Sequence, residues 1–273
     1  MKKEQLVSLI KKKKSLLCVG LDTDITKIPA SILKSSNDPI FEFNKCIIDA
    51  TLDSTVAYKP NTAFYEALGL KGWESLQKTV DYIGDKAFVI ADAKRGDIGN
   101  TSKMYAQAFF EQMKVHAVTV APYMGEDSVT PFLGYDNKWV IVLGLTSNKG
   151  SEDFQQTLLA SGEKLYEQVI RKVASWGDAS QLMFVVGATK AEYIKEIRTI
   201  IPEHFLLIPG VGVQGGDLDA VCKYGVTKDG GLLINASRSI LYASASNDFQ
   251  AAAAAEANAM RSAMLPHLAA VGI

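Results

Sequence analysis

Asp92-Ala93-Lys94-Arg95-Gly96-Asp97-Ile98-Gly99-Asn100-Thr101 is the stretch from which the rest of the chain is best read. The apolar run before it, from Ala87 to Ala91, is short and β-compatible. It reads as a buried strand that breaks at Gly96 into a helix of about four turns from Ile98 to Lys114. Side chains alternate along a strand, so Asp92 and Lys94, two residues apart, project to one side, while Asp97 falls in the turn and reads as a helix N-cap. Two carboxylates would then bracket one ammonium. Alone, the pattern is equally compatible with solvated loop charges and a helix cap, and the surrounding chain has to decide.

Upstream, an amphipathic first helix leads to an apolar run from Leu16 to Leu21 that ends in Asp22. Asp38-Pro39 supplies an N-cap with proline in the first turn, and Ile40, Phe41, Ile47 and Ile48 carry a helix to about Asp53. A second strand, Val56 to Tyr58, ends in Lys59-Pro60-Asn61, and a helical stretch broken near Gly69 and Gly72 runs to about Ile83. Downstream, strands are expected at Val115–Ala121, Trp139–Leu145, Leu182–Val186, Phe205–Ile208 and Gly231–Ile234. Helices are expected near Glu126–Leu133, Glu163–Ser175, Lys190–Ile200, Asp217–Tyr224 and Asp248–Leu265. Near-continuous apolar strands alternating with helices imply a parallel sheet covered on its outer face. With eight such strands in 273 residues, the expected fold class is α/β, a closed (β/α)8 TIM barrel with an extra N-terminal helix, forming one domain over 1–273. The active site of that architecture lies at the C-terminal ends of the strands, and Asp22, Lys59, Asp92 and Lys94 all fall at that rim. Scattered surface charges would not all select one end of a barrel, so the cluster reads as catalytic.

Composition narrows the partners. A net charge of −1 gives no electrostatic case for nucleic acid or an anionic membrane surface. The Lys11–Lys14 run falls at the end of the first helix, where cations favour the macrodipole. Cys18, Cys46 and Cys222 are odd in number, widely spaced and set in apolar segments, which points to reduced thiols in a cytoplasmic protein. No run reaches membrane-spanning length, and the N-terminus lacks the pattern of a signal peptide. His116, His204 and His267 form no ligand-spaced pair, so no metal site is expected.

Two late loops complete a site. Pro209-Gly210-Val211-Gly212-Val213-Gln214-Gly215-Gly216-Asp217 joins strand seven to its helix, with glycines that let backbone N–H groups approach an anion. Asn235-Ala236-Ser237-Arg238-Ser239 follows strand eight and opens the last helix, whose N-terminus favours a phosphate that Arg238 can bind bidentately. Gly210, Gly212 and Gly215 match G-x-G-x-x-G, but the loop is late in the chain and Asn235, not an acid, lies about twenty residues on. One phosphate, not a dinucleotide, is the expected ligand group.

Lys59, the D-A-K-R-G-D-I-x-x-T run, Ser147, the P-G-V-G-x-Q-G-G-D loop and Arg238 resemble, in order and over nearly the whole chain, the orotidine 5′-monophosphate decarboxylase family. The K-P-N, T-S-N and A-S-R-S segments are similar to its longer bacterial branch. The resemblance implies cofactor-independent decarboxylation of orotidine 5′-monophosphate to uridine 5′-monophosphate in pyrimidine biosynthesis. It makes Lys94 the proton donor in an alternating charge network with Lys59, Asp92 and Asp97. Asp22 and Thr101 would hold the ribose hydroxyls, Ser147 the pyrimidine, and Gln214 and Arg238 the phosphate. Asn61, Pro209 and Ser237, in the same segments, count with the substrate-binding residues. The family also implies a homodimer in which Asp97 and Thr101 reach into the neighbouring subunit's site. Lys149 departs from the proline expected in a T-S-N-P-G loop, so the detailed shape of the base-covering loop does not carry over.

Two other readings compete. Related sugar-phosphate synthases and decarboxylases use magnesium to hold an enediolate, but they place a metal-binding glutamate where this chain has Lys59, and an ammonium cannot ligate Mg2+. A barrel that binds a nucleotide without turnover would not need all four network residues.

Overall fold

The computed structural model describes residues 1–188, 191–211 and 217–273. Eight parallel strands close in chain order, β1 (Leu17–Gly20), β2 (Ala57–Lys59), β3 (Phe88–Arg95), β4 (Ala117–Val120), β5 (Trp139–Leu145), β6 (Leu182–Val186), β7 (Phe205–Pro209) and β8 (Leu232–Ala236). β8 returns to pair with β1 at Leu17↔Ile234, which leaves no sheet edge. β1, β4, β6 and β8 are buried along their whole length, as expected of strands covered on both faces.

The helices ring the barrel. α1 (Lys3–Lys13) precedes it and buries Leu6 and Ile10. α2 (Ala30–Ser35) and α3 (Pro39–Thr51) join β1 to β2, and α4 (Thr62–Glu66) and α5 (Gly69–Ile83) join β2 to β3. α6 (Gly99–Gln107), α7 (Glu126–Leu133), α8 (Leu165–Ala174), α9 (Ala191–Ile200) and α10 (Leu218–Gly225) follow in turn, and α11 (Arg238–Leu241) and α12 (Phe249–Ala270) close the chain. α3 starts as the sequence predicts, with Asp38 accepting from the Phe41 N–H and Pro39 in the first turn. α8 buries Tyr166, Ile170 and Val173, one stripe at spacings of four and three.

Four local expectations change. β3 runs to Arg95, just before the break expected at Gly96, but its pairing with β4 shifts register between Ala91 and Arg95 instead of alternating regularly. The helix after it starts at Gly99, gives way to a π-helical turn over Ala108–Gln112, and is followed by Lys114 in the left-handed region at φ 62°. Asn235 and Ala236 belong to β8, and Ser237 opens a four-residue helix separate from α12. α2 is an addition to the expected elements: Pro29 precedes it, but it has no side-chain cap and no acidic residue in its first turn.

Candidate active site

β1 and β2 run in register to Gly20↔Lys59, and β3 continues past them, so three strand ends deliver charge to one point. Lys59 is the last residue of β2 and only 4% exposed. Its Nζ lies 2.8 Å from Asp92 Oδ2 and 3.8 Å from Asp22 Oδ1, and Lys94 Nζ lies 2.6 Å from Asp92 Oδ1. Acid and base therefore alternate as Asp22, Lys59, Asp92, Lys94. Burial alone would lower the Lys59 pKa, but Asp22 and Asp92 outweigh it and hold the ammonium above the ordinary lysine value. Burial would likewise raise Asp92, but Lys59 and then Lys94 hold its carboxyl well below the usual carboxylate range. The buried pair thus stays fully ionised at neutral pH.

Sequence reasoning places Asp92 and Lys94 on one side by regular alternation. They do share a side, but through a bulge. Lys94 is left-handed at φ 46°, its N–H donates to Thr119 Oγ1 at 2.8 Å, and Thr119 Oγ1 donates to Asp92 Oδ1 at 3.1 Å. Bulges beside active sites commonly re-aim a side chain. Thr119 escaped the sequence reading because one hydroxyl inside an apolar strand carries almost no signal.

The Asp22 loop is held by neutral groups. Tyr65 OH donates to Leu21 O at 2.9 Å and accepts from Asn44 Nδ2 at 2.9 Å. Tyr242 OH accepts from the Asp24 N–H at 2.8 Å and donates to Asp22 O at 3.3 Å. Asp22 Oδ1 itself is buried without a hydrogen-bond partner among the described residues, an acceptor suited to a ligand hydroxyl.

Beside the cluster lies a cavity of about 200 Å3, lined by Asp22, Lys59, Asp92, Asn61, Pro209, Asn235, Ser237 and Arg238 among others. Asn61 caps α4, its Oδ1 accepting from the Ala63 N–H at 3.2 Å, and its backbone forms a parallel bridge with Asp92 just past the end of β2. Pro209 ends β7 in register with Asn235. Ser237 approaches β1 so closely that a Cβ on Gly20 would lie 1.9 Å from its Oγ. Arg238 is exposed, and its guanidinium makes no hydrogen bond or ion pair among the described residues. A larger concavity of about 640 Å3 lies between α7 and α8, lined by Pro122, Val169 and Trp176 among others, away from this cluster.

Asp97, Thr101 and Ser147 do not line that cavity. Asp97 is not an N-cap. Ile98 takes that position, because Gly99 at φ 49° begins the helix later, and Asp97 Oδ1 accepts from its neighbour's N–H at 2.8 Å. No hydrogen bond or ion pair among the described residues ties Asp97 to Lys94. Thr101 is exposed on α6. Ser147 follows β5 and is packed against Gly187, where a Cβ would meet the Ser147 backbone nitrogen at 2.7 Å. Lys149 opens a short 3-10 turn over Lys149–Glu152. Gln214, with Gly212 and Gly215, lies outside the described residues.

Comparison with known proteins gives one answer. The profile of the orotidine 5′-phosphate decarboxylase / HUMPS family matches residues 15–255. The chain is 57% identical over 274 residues to the orotidine 5′-phosphate decarboxylase of Bacteroides fragilis (strain YCH46), covering 99% of this chain and 100% of that protein. It is 60% identical over 257 residues to the enzyme of that name from Flavobacterium johnsoniae, covering 93% of each. The structure of Leishmania donovani OMP decarboxylase superposes with a TM-score of 0.80 at 36% identity, covering 96% of this chain and 99% of that one.

Proposed function

Because the chain belongs to the orotidine 5′-phosphate decarboxylase / HUMPS family, we propose that it is a carboxy-lyase converting orotidine 5′-monophosphate to uridine 5′-monophosphate in pyrimidine biosynthesis. The observation that carries this reading is Lys59. Within a family that also holds enzymes of other substrates, its buried ammonium, bonded to Asp92 at 2.8 Å, occupies the place a magnesium-dependent relative needs for a carboxylate.

The chemistry follows from the charges. The bond from pyrimidine C6 to its carboxylate breaks, the electron pair stays on C6, and CO2 departs. The ring delocalises that pair poorly, so a fixed cation must stabilise it. Lys94 does so and then donates an Nζ proton to C6, regaining a proton from water. Asp92 keeps Lys94 charged and in place, and Lys59 keeps Asp92 ionised. At about 4 Å and an effective dielectric near 20, one such pair is worth roughly 4 kcal/mol before desolvation, and it is already assembled when charge develops. No cofactor is needed. Asp22, whose Oδ1 accepts no hydrogen bond among the described residues, takes a ribose hydroxyl. Ser237 and Arg238, with Gln214, hold the phosphate, and Asn61 and Pro209 line the path between. Ser147 takes the pyrimidine from the strand-five side. Phosphate binding far from C6 supplies the energy to close the site and exclude water.

The working unit is a homodimer in the cytoplasm, with Asp97 and Thr101 of one chain completing the other's site. Among the described residues Asp97 has no hydrogen bond or ion pair to its own chain's cluster, and on the same segment Ile98 and Met104 are 52% and 49% exposed, suited to a second copy. Buried Cys18 and Cys222, each pushed up to about 12 by burial, suit a reducing compartment.

The decisive assay is the fall in ultraviolet absorbance when purified protein meets orotidine 5′-monophosphate, with and without EDTA. Full turnover in chelator is expected. Activity abolished by chelation and restored by Mg2+ would instead select the metal-dependent reading. For the shared site, a verified heterodimer of Lys94→Ala and Asp97→Ala chains should regain about half the normal activity, since one of its two sites is intact. No gain over the parents would place each site within one chain.

A further inference from the structure

Thr119 is wholly buried in β4, and no role above depends on it. Three hydrogen bonds nevertheless close a ring through its hydroxyl. The Lys94 N–H donates to Thr119 Oγ1 at 2.8 Å, Thr119 Oγ1 donates to Asp92 Oδ1 at 3.1 Å, and Lys94 Nζ donates back to that same Oδ1 at 2.6 Å. A hydroxyl has one proton to give and lone pairs to accept with, so the direction of all three bonds is fixed once Asp92 is ionised.

The backbone explains why such a ring is required. Between Ala91↔Val118 and Arg95↔Val120, β3 advances four residues while β4 advances two, so the ladder is broken across Asp92–Lys94. Inside that bulge the Asp92 N–H finds Pro60 O at 3.0 Å, and the Lys94 N–H finds a side chain instead of a strand carbonyl. Lys94 also holds φ at 46°, a region that long side chains avoid unless their surroundings enforce it. Thr119 Oγ1 takes the Lys94 amide inside this turn, and the same atom orients the carboxylate to which the Lys94 ammonium is bound.

We propose that Thr119 is a positioning residue for decarboxylation: its hydroxyl locks the Lys94 turn and the Asp92 carboxylate together, so that ammonium and carboxylate meet the reacting carbon as one rigid unit. The inference rests on the reading of Lys94 as proton donor. A unit that is pre-assembled raises the rate of the chemical step, whereas phosphate and ribose contacts elsewhere set affinity.

The test compares Thr119→Val, which has nearly the same shape but no hydroxyl, with Thr119→Ser, which keeps the hydroxyl and loses a methyl. For orotidine 5′-monophosphate, Thr119→Val should lower kcat about 30- to 100-fold, in line with the roughly hundredfold cost of a misplaced group. KM and the Kd for uridine 5′-monophosphate should stay within about threefold. Thr119→Ser should return kcat to within about threefold of the parent. Amide hydrogen exchange gives an arm independent of turnover: the Lys94 N–H should be protected in the parent and in Thr119→Ser, and exposed in Thr119→Val. Three results would overturn the inference: a Thr119→Val enzyme with near-parental kcat, a Thr119→Ser enzyme as slow as Thr119→Val, or an unprotected Lys94 amide in the folded parent. The last needs no variant to fold. A parent that never turns over the nucleotide yet protects this amide would remove the catalytic reading and leave the ring in place.

Discussion

The two ends of the barrel hold their buried and half-buried cations in opposite ways. At the C-terminal rim, Lys59 is bonded to carboxylates and its pKa is raised despite burial. At the N-terminal end, cations are bonded to backbone carbonyls. Lys13 Nζ donates to Leu52 O at 2.8 Å and Thr55 O at 2.6 Å, and Lys138 Nζ donates to Val115 O at 2.7 Å. Arg198 donates to the carbonyls of Gly225, Gly231, Ile201 and His204. Burial pulls Lys13 down to about 8 and Arg198 to about 10, and lowers Lys138 as well. Carbonyl dipoles satisfy those donors and tie the helix-to-strand turns, but they do not offset the loss of water as a full negative charge does. One end is arranged for stability. The other holds charge against charge, ready for a substrate.

The hardest test of that division is Lys94→Ala. It should lower decarboxylation by many powers of ten, because one preorganised group alone is worth a hundredfold to a thousandfold and Lys94 both stabilises the carbanion and protonates it. Asp92 keeps its bond to Lys59, so nucleotide binding and thermal unfolding should change little. A mutant with a tenth of normal kcat would remove Lys94 from the chemistry. The opposite end should behave in reverse. Arg198→Met removes the donor shared by four carbonyls, of which Gly231 O keeps the Leu206 N–H, and should cost about 3 kcal/mol in unfolding free energy, with kcat per folded molecule unchanged. Denaturant unfolding beside active-site titration separates the two quantities.

Acid should find the N-terminal end first. His116 is 8% exposed and its Nδ1 accepts from the Val89 N–H at 3.0 Å. Burial, then the N-terminal amine and Lys138, lower its pKa to about 4, with Asp85 opposing. The folded value lies below the unfolded one near 6.5, so folding favours the neutral ring. That contribution is complete above about pH 6.5 and shrinks as pH falls toward 4, by about 2–3 kcal/mol. His116→Asn retains an acceptor but cannot titrate, and its stability should fall less steeply over that window. Parallel slopes for parent and mutant would show that acid acts elsewhere.

How much of this was legible in the sequence follows the same division. Strand ends that turn from apolar runs to Asp22, Lys59 and Asp92 are local patterns, and the closed barrel and its charge cluster were read from them. The Thr119 ring was not, because it depends on a register shift between two strands, which is a long-range property. The N-cap assigned to Asp97 failed for a similar reason: Gly99 at a positive φ delays the helix by a step that side-chain type does not signal. The carbonyl-bound cations are equally invisible, since Lys13 sits in a lysine run that reads as a helix end favouring the macrodipole, not as a donor to Leu52 and Thr55.

The smallest expected effect tests how far the reactive end extends. Arg238 lines the cavity beside Ser237, on a four-residue helix too short to supply much dipole of its own, so its guanidinium is the main positive charge offered to a phosphate there. Losing one charge-assisted contact costs about 1.5–3 kcal/mol, and Arg238→Ala should lower kcat/KM for orotidine 5′-monophosphate accordingly. The penalty must depend on the phosphate. With orotidine, which lacks it, parent and mutant should be nearly equal, because the Lys59–Asp92–Lys94 cluster is untouched. An equal penalty on both substrates would show that Arg238 braces the barrel instead, and would move it to the same class as Arg198. A penalty confined to the phosphorylated substrate places the functional boundary beyond β8, with binding energy gathered at one side of the rim and the chemistry carried out at the other.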